Sequence, residues 1–248
     1  MRNKSIFKQM LTPMITIVIL LAIVLILMIS VSFTSFYQKE IQNRNKERAG
    51  LLSESIQIFV DGAYNLVEEL SVNPSILSMQ TQIQTKILEN CMERNPYFEL
   101  LYIQNADGMQ TGRSTGELAD RSQRWWFIQT KETKKSFISN SYYSVNTGMP
   151  CASIFFPIYE ENHDFLGVFA ADLKLDYLQS MINEYSNTQY KEISFVIDGE
   201  GIVIAHPDNV QIEEQYNYKT LTKTIAKKDA NNKVVKDADG NIITETQN

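Results

Sequence analysis

Leu11 to Phe33 is a run of 23 residues without a single charge. At a helical rise of about 1.5 Å per residue, it crosses a hydrocarbon core of roughly 30 Å. Arg2, Lys4 and Lys8 precede it, with no acid among them. A cleaved signal peptide competes with this reading, because Ser30-Val31-Ser32 is a small-x-small pattern. The apolar core is as long as or longer than a signal h-region, and it runs straight into a helical pattern. The expectation is therefore an uncleaved signal anchor. Lys39, Arg44, Lys46 and Arg48 come after the run, diluted by Glu40 and Glu47, so loop charge alone does not set the orientation. A short tail before a long polar domain favours the tail inside and the domain outside.

Beyond the apolar run the composition is that of an ordinary globular chain. At 44% hydrophobic and 21% charged, the 248 residues exclude wholesale disorder, a collagen-like repeat and a multi-span membrane protein. The net charge is −6, and removing the tail's three cations leaves 20 Lys and Arg against 29 acids. Such a chain lacks a nucleic-acid-binding surface and does not itself seek an anionic membrane. Cys91 and Cys151 are too few for a disulfide scaffold and do not form a metal-ligand pair by spacing. Two separate buried thiols are expected, with one disulfide between them as the alternative.

Leu52, Ile56, Phe59, Ala63, Leu66 and Leu70 recur at three- and four-residue steps, which predicts one long helix over 34–72. Asn73-Pro74 ends it, since proline disfavours helix in the residue before it. A second helix is expected over about 75–93, with Ile76, Ile83, Ile87, Leu88 and Cys91, and both stripes are read as core and dimer packing. From Tyr97 the pattern is extended: "YFELLYIQ", the turn Asn105 to Gly108, then Met109 to Thr111. Gln123 to Lys131 reads as helix, "SFISN", "CASIFFPIY" and "FLGVFAADLKL" as strands, and Leu175 to Tyr185 as helix. A weak repeat at a shift of 93 residues lays Tyr102, Asn105 and Gly108 on Phe195, Asp198 and Gly201. The order of elements predicts two similar α+β modules in tandem, although chance hairpin grammar gives the same short match. The second stops in hairpin-like sequence at Asn248, so a piece of a longer protein is expected.

Enzyme signatures are missing: the sequence holds no P-loop, dinucleotide glycine motif, HExxH or GxSxG. No catalytic residue, metal site or cofactor is expected. His163 and His206 read as surface turn residues, and Asp237 to Gly240 as a hairpin turn lacking the closing Glu of a calcium loop. One constellation carries chemistry. Asp172 is the lone carboxylate of a nearly continuous apolar strand, and a buried carboxylate demands a cation or several donors. Upstream, "DRSQRWWF" sets Arg124 two before Trp126, and Tyr142 and Tyr143 come later. Arg124 could take a ligand carboxylate bidentately and Asp172 its ammonium, with the aromatics excluding water. The alternative is that Arg124 and Asp172 pair with each other.

The span plus long helix, "DRSQRWWF", "SYYSVNTGMPCASIFFPIY", "FLGVFAADL" and "FVIDGEGIVIAHPD" together resemble the double Cache (tandem PAS-like) extracytoplasmic sensor domain of bacterial methyl-accepting chemotaxis receptors. The resemblance implies a cytoplasmic tail (1–10), a transmembrane anchor (11–33) and the long and second helices (34–96). It also implies a membrane-distal ligand-binding PAS-like module (97–190) and an incomplete membrane-proximal one (191–248). It implies a homodimer in the cell membrane that senses a small molecule, an amino acid or related amine or carboxylate, for chemotaxis. The alternative output is a histidine kinase or diguanylate cyclase. Arg124 and Trp126 match the family's carboxylate-binding pair, and Tyr142 and Asp172 its amine-binding groups. Two positions depart: a Tyr of the pattern is Ala119 here, and an Asp is Ser144.

Overall fold

Apolar spacing at three and four residues becomes the 66-residue helix α1 (Ile6–Ser71) of the computed structural model. The structure describes residues 6–160, 162–186, 192–238 and 240–248, with side chains from residue 10 onward. Arg2, Lys4, the side chain of Lys8 and the module boundary near residue 190 lie outside these. The chain divides into two units, the residues up to Leu51 and Leu52–Asn248. In the first unit the helix is long and apolar enough to cross a membrane, and its large side chains from Met14 to Phe33 are exposed.

In the second unit the helical stripe is buried. Ala63 and Val67 are fully enclosed, and Phe59, Leu66 and Leu70 pack against them. Asn73 caps the next helix, its side chain accepting from the Ser75 amide at 2.9 Å, with Pro74 at the first helical position. The predicted single helix over 75–93 is in fact two, α2 (Pro74–Leu77) and α3 (Thr81–Arg94). Met79 between them has φ +52°, which no helix continues through. The Gln84 amide donates to the Ile76 carbonyl at 2.6 Å and ties the pieces together. Ile83 is exposed in the single chain, where core or dimer packing was expected.

Six antiparallel strands come next: β1 (Phe98–Asn105), β2 (Gln110–Arg113), β3 (Phe137–Ile138), β4 (Tyr142–Tyr143), β5 (Pro150–Tyr159) and β6 (Phe165–Lys174). Their order is β2-β1-β6-β5-β3, with β4 also on β5. Side-chain alternation divides the core in two. Leu101, Ile103, Ile154, Ile158 and Phe169 face the helices α1 to α3. Leu100, Tyr102, Phe155, Val168 and Ala170 face α4 (Trp125–Thr133), which covers the other side through Trp126 and Phe127. Gly167 sits so close to β1 that a Cβ there would lie 1.9 Å from the Gln104 carbonyl oxygen.

After α5 (Leu175–Tyr185) come β7 (Val196–Ile197), β8 (Val203–Ala205), α6 (Asn209–Glu213), β9 (Lys223–Ala226) and β10 (Thr244–Gln247). They form two separate two-stranded sheets, so one sheet-rich module is evident and the expected second is reduced to hairpins. The repeated turns are alike: Asn105 Oδ1 accepts from the amides of Asp107 and Met109, and Asp198 Oδ1 from Glu200 and Ile202. Asp229 does the same for Asn231 and Lys233, outside the repeat, so the local match reflects a general Asx turn. His206 corrects the sequence reading. It is buried, and its Nδ1 accepts from the Asp208 amide at 2.9 Å. Cys91 and Cys151 are free and buried.

Candidate functional site

The pattern that made Asp172 stand out also places it. It lies on β6 opposite Leu100 of β1 and Ser153 of β5, on the face covered by α4. Its Oδ1 accepts from the hydroxyls of Ser153 (2.6 Å), Tyr102 (3.2 Å) and Tyr142 (3.5 Å). Burial pushes the Asp172 carboxyl up to about 7, and Glu99 nearby adds to the rise, while the Ser153 and Tyr102 hydroxyls oppose it. The same burial, with Asp172 next, raises the Tyr102 and Tyr142 phenols well above their usual range.

Arg124 is the residue before α4 and is also buried. A ladder of backbone contacts holds its loop. The Ala119 carbonyl accepts from the Gln110 amide at 3.1 Å, and the Gly108 carbonyl from the Arg121 amide at 2.8 Å. Gly108 has φ +89°, and a Cβ there would lie 2.4 Å from Ser122 Cα, so only glycine fits under the loop. Arg124 Nη1 donates to Asn241 Oδ1 (2.5 Å) and to the Gly240 carbonyl (3.3 Å) of the C-terminal hairpin. Its Nε is buried with no partner among the described residues. Trp126 stacks on Phe155 with ring centroids 4.9 Å apart and meets Tyr102 edge-on at 5.6 Å.

Arg124, Trp126, Tyr142 and Asp172 line one pocket, together with Tyr102, Arg113 and Arg121. Among the described residues Arg124 and Asp172 form no ion pair; the guanidinium is held by the hairpin and the carboxylate by hydroxyls. The cavity is about 20 Å³, room for one water. Ser144, at the departing position, donates to Glu99 Oε1, which also accepts from Thr147 at 3.2 Å. Sequence reasoning missed Tyr102, Ser153, Arg113 and Asn241. Ser153 carried a usable signal, a lone hydroxyl in an apolar strand, and Arg121 stood within the quoted "DRSQRWWF".

The six-stranded antiparallel sheet thus carries the helices α1 to α3 on one face and, on the other, α4 and the charged pocket. The family model described as Cache domain matches residues 33–246, and the chain belongs to that family. It is 38% identical over 112 residues to sporulation kinase D of Bacillus subtilis (strain 168), a match covering 43% of this chain and 22% of that protein. It is 25% identical over 128 residues to citrate (Re)-synthase of Syntrophus aciditrophicus (strain SB), covering 47% of this chain and 20% of that protein. The chain thus spans about a fifth of the length of these curated relatives. Among solved structures it resembles the ligand-binding domain of the amino-acid chemoreceptor PctC of Pseudomonas aeruginosa PAO1, in complex with GABA. That likeness has a TM-score of 0.56 at 19% identity and covers 75% of this chain and 91% of that one.

Proposed function

We propose that this chain is the extracytoplasmic sensor of a membrane signalling protein, anchored through residues 11–33 and dimeric through the helix over 36–70. Its ligand is an amino acid or related amine–carboxylate. Arg124 takes the carboxylate, Asp172 and Tyr142 the ammonium, and Trp126 walls the site from water. The observation that carries this reading is the separation of charges: a buried guanidinium with an unpartnered Nε and a buried carboxylate line one pocket without neutralising each other. Unpaired buried charges are costly, and a zwitterion answers both at once. The cavity has room for one water, so it must widen to admit such a ligand. The hairpin bonded to Arg124 Nη1 through Gly240 and Asn241 is the element that moves, which couples binding to hairpin movement. This coupling is the population shift that a sensor transmits.

Two outputs fit the same sensor. The likeness to PctC at 19% identity speaks for the fold alone, whereas the 38% identity to sporulation kinase D favours a kinase output as a second reading beside chemotaxis. The reading frame around codon 248 separates them: coiled-coil heptads after a further apolar span support chemotaxis, a nucleotide-binding domain the kinase. The sensor assignment is tested by a melting-shift screen of amino acids, polyamines and short carboxylates. At a hundredfold excess over Kd a ligand stabilises by about 2.7 kcal/mol. No shift from any of them overturns the reading.

A further inference from the structure

Among the described residues three guanidiniums line the pocket, those of Arg113, Arg121 and Arg124, with one carboxylate, Asp172. Glu99 lies nearby, but its carboxylate accepts from the Ser144 and Thr147 hydroxyls. The Lys236 ammonium joins the group from the hairpin side, donating to the Val145 carbonyl at 2.7 Å. Among the described residues no carboxylate lies within ion-pair distance of any of these four cations. They also disfavour one another: Arg121 depresses the Arg113 and Lys236 pKa values, after burial, and Arg124 depresses that of Arg121.

A neutral amino acid does not answer this surplus, because its single carboxylate and ammonium cancel. Arg113 is buried and fixed by the Thr115 carbonyl, Gln110 Oε1 (3.2 Å) and Asn146 Oδ1 (3.0 Å), which take three of its five N–H donors. Two remain. The side chain of Arg121 is half-buried and donates to no described residue, while its backbone is pinned to Gly108. A preorganised guanidinium beside a free one is the arrangement that binds a planar carboxylate through paired hydrogen bonds.

Resting on the amine–carboxylate reading, we propose that the pocket takes an acidic amino acid, whose second carboxylate is held by Arg113 and Arg121. The first carboxylate stays with Arg124 and the ammonium with Asp172. The ligand then brings net negative charge into a net positive pocket.

The test compares near-isosteric pairs by calorimetric titration of the full chain in lipid nanodiscs: L-aspartate against L-asparagine, and L-glutamate against L-glutamine. One acid should bind at least about tenfold tighter than its amide. Arg121→Gln should bring that ratio close to one by weakening the acid much more than the amide, with a melting temperature no lower than that of the native chain, since a repelling cation is removed. Equal binding of acid and amide, or a ratio that survives Arg121→Gln, overturns the second-carboxylate site and leaves the amine–carboxylate reading standing. Absence of binding by all four, with neutral amines and carboxylates also silent, overturns the reading beneath it.

Discussion

Ser153 and Asp172 face each other across the β5–β6 ladder, and the serine hydroxyl meets the carboxylate at 2.6 Å. This is the shortest of the three bonds to Oδ1, and it favours the ionised form. Ser153→Ala removes it without enlarging the core. The Asp172 pKa should move further up, and the ionised state should lose about 1–3 kcal/mol of stabilisation. The midpoint of the pH dependence of ligand binding reads the change; an unmoved midpoint contradicts it.

The raised Asp172 carboxyl makes the ligand-free protein sensitive to pH in one direction. An acid whose folded pKa lies above its unfolded value binds more protons when folded, so stability falls as pH rises between the two. For Asp172 the window runs from about 3.8 to about 7. With roughly 1.4 kcal/mol per unit, the loss is on the order of 4 kcal/mol. Asp172→Asn should melt higher than the native chain at pH 8, with the gap shrinking toward pH 5. A gap that is constant with pH would show that Asp172 stays ionised throughout.

The main strands were legible in the sequence, because nearly continuous apolar runs such as "YFELLYIQ" and "FLGVFAADLKL" mark strands buried on both faces. The helix break at Met79 was not, since nothing about methionine announces a left-handed φ; tertiary packing of Gln84 against Ile76 imposes it. Asp172 and Arg124 stood out as charges among apolar neighbours. Their partners did not, because Tyr102, Ser153 and Asn241 lie 70, 19 and 117 positions away from the groups they touch. Contacts of that range arise from strand register and hairpin placement, which local pattern does not encode. The burial of His206 was missed for the same reason: the Gln179 side chain, 27 positions away, accepts from its amide.

Asn241 holds Arg124 Nη1 in the ligand-free arrangement, and on the proposed reading it restrains the hairpin that must move for a ligand to enter. Asn241→Ala should lower the melting temperature of the free chain slightly, by loss of its bonds to Arg124 and Asp237, and raise ligand affinity several-fold. Weaker binding in that variant would show that the asparagine is part of the ligand's own shell.

Phe169 is fully enclosed between β1, β5 and the helices, on the sheet face opposite the charged pocket. Phe169→Ala should cost about 3–5 kcal/mol of stability through the cavity it leaves. At temperatures where the variant is folded, its ligand selectivity should match the native chain. Denaturant unfolding and titration side by side check both halves.

The proposed function rests on one ligand bridging Arg124 and Asp172. The most direct measurement is a titration cycle using the best-binding amino acid, its methyl ester and its deaminated analogue, against the native chain, Arg124→Ala and Asp172→Asn. In the native chain each chemical change should cost at least about 30-fold, the size expected for a buried charge left unpaired. The ester's penalty should vanish in Arg124→Ala and persist in Asp172→Asn, and the deaminated analogue should show the reverse. Penalties that are the same in all three proteins would contradict a ligand held between these two residues.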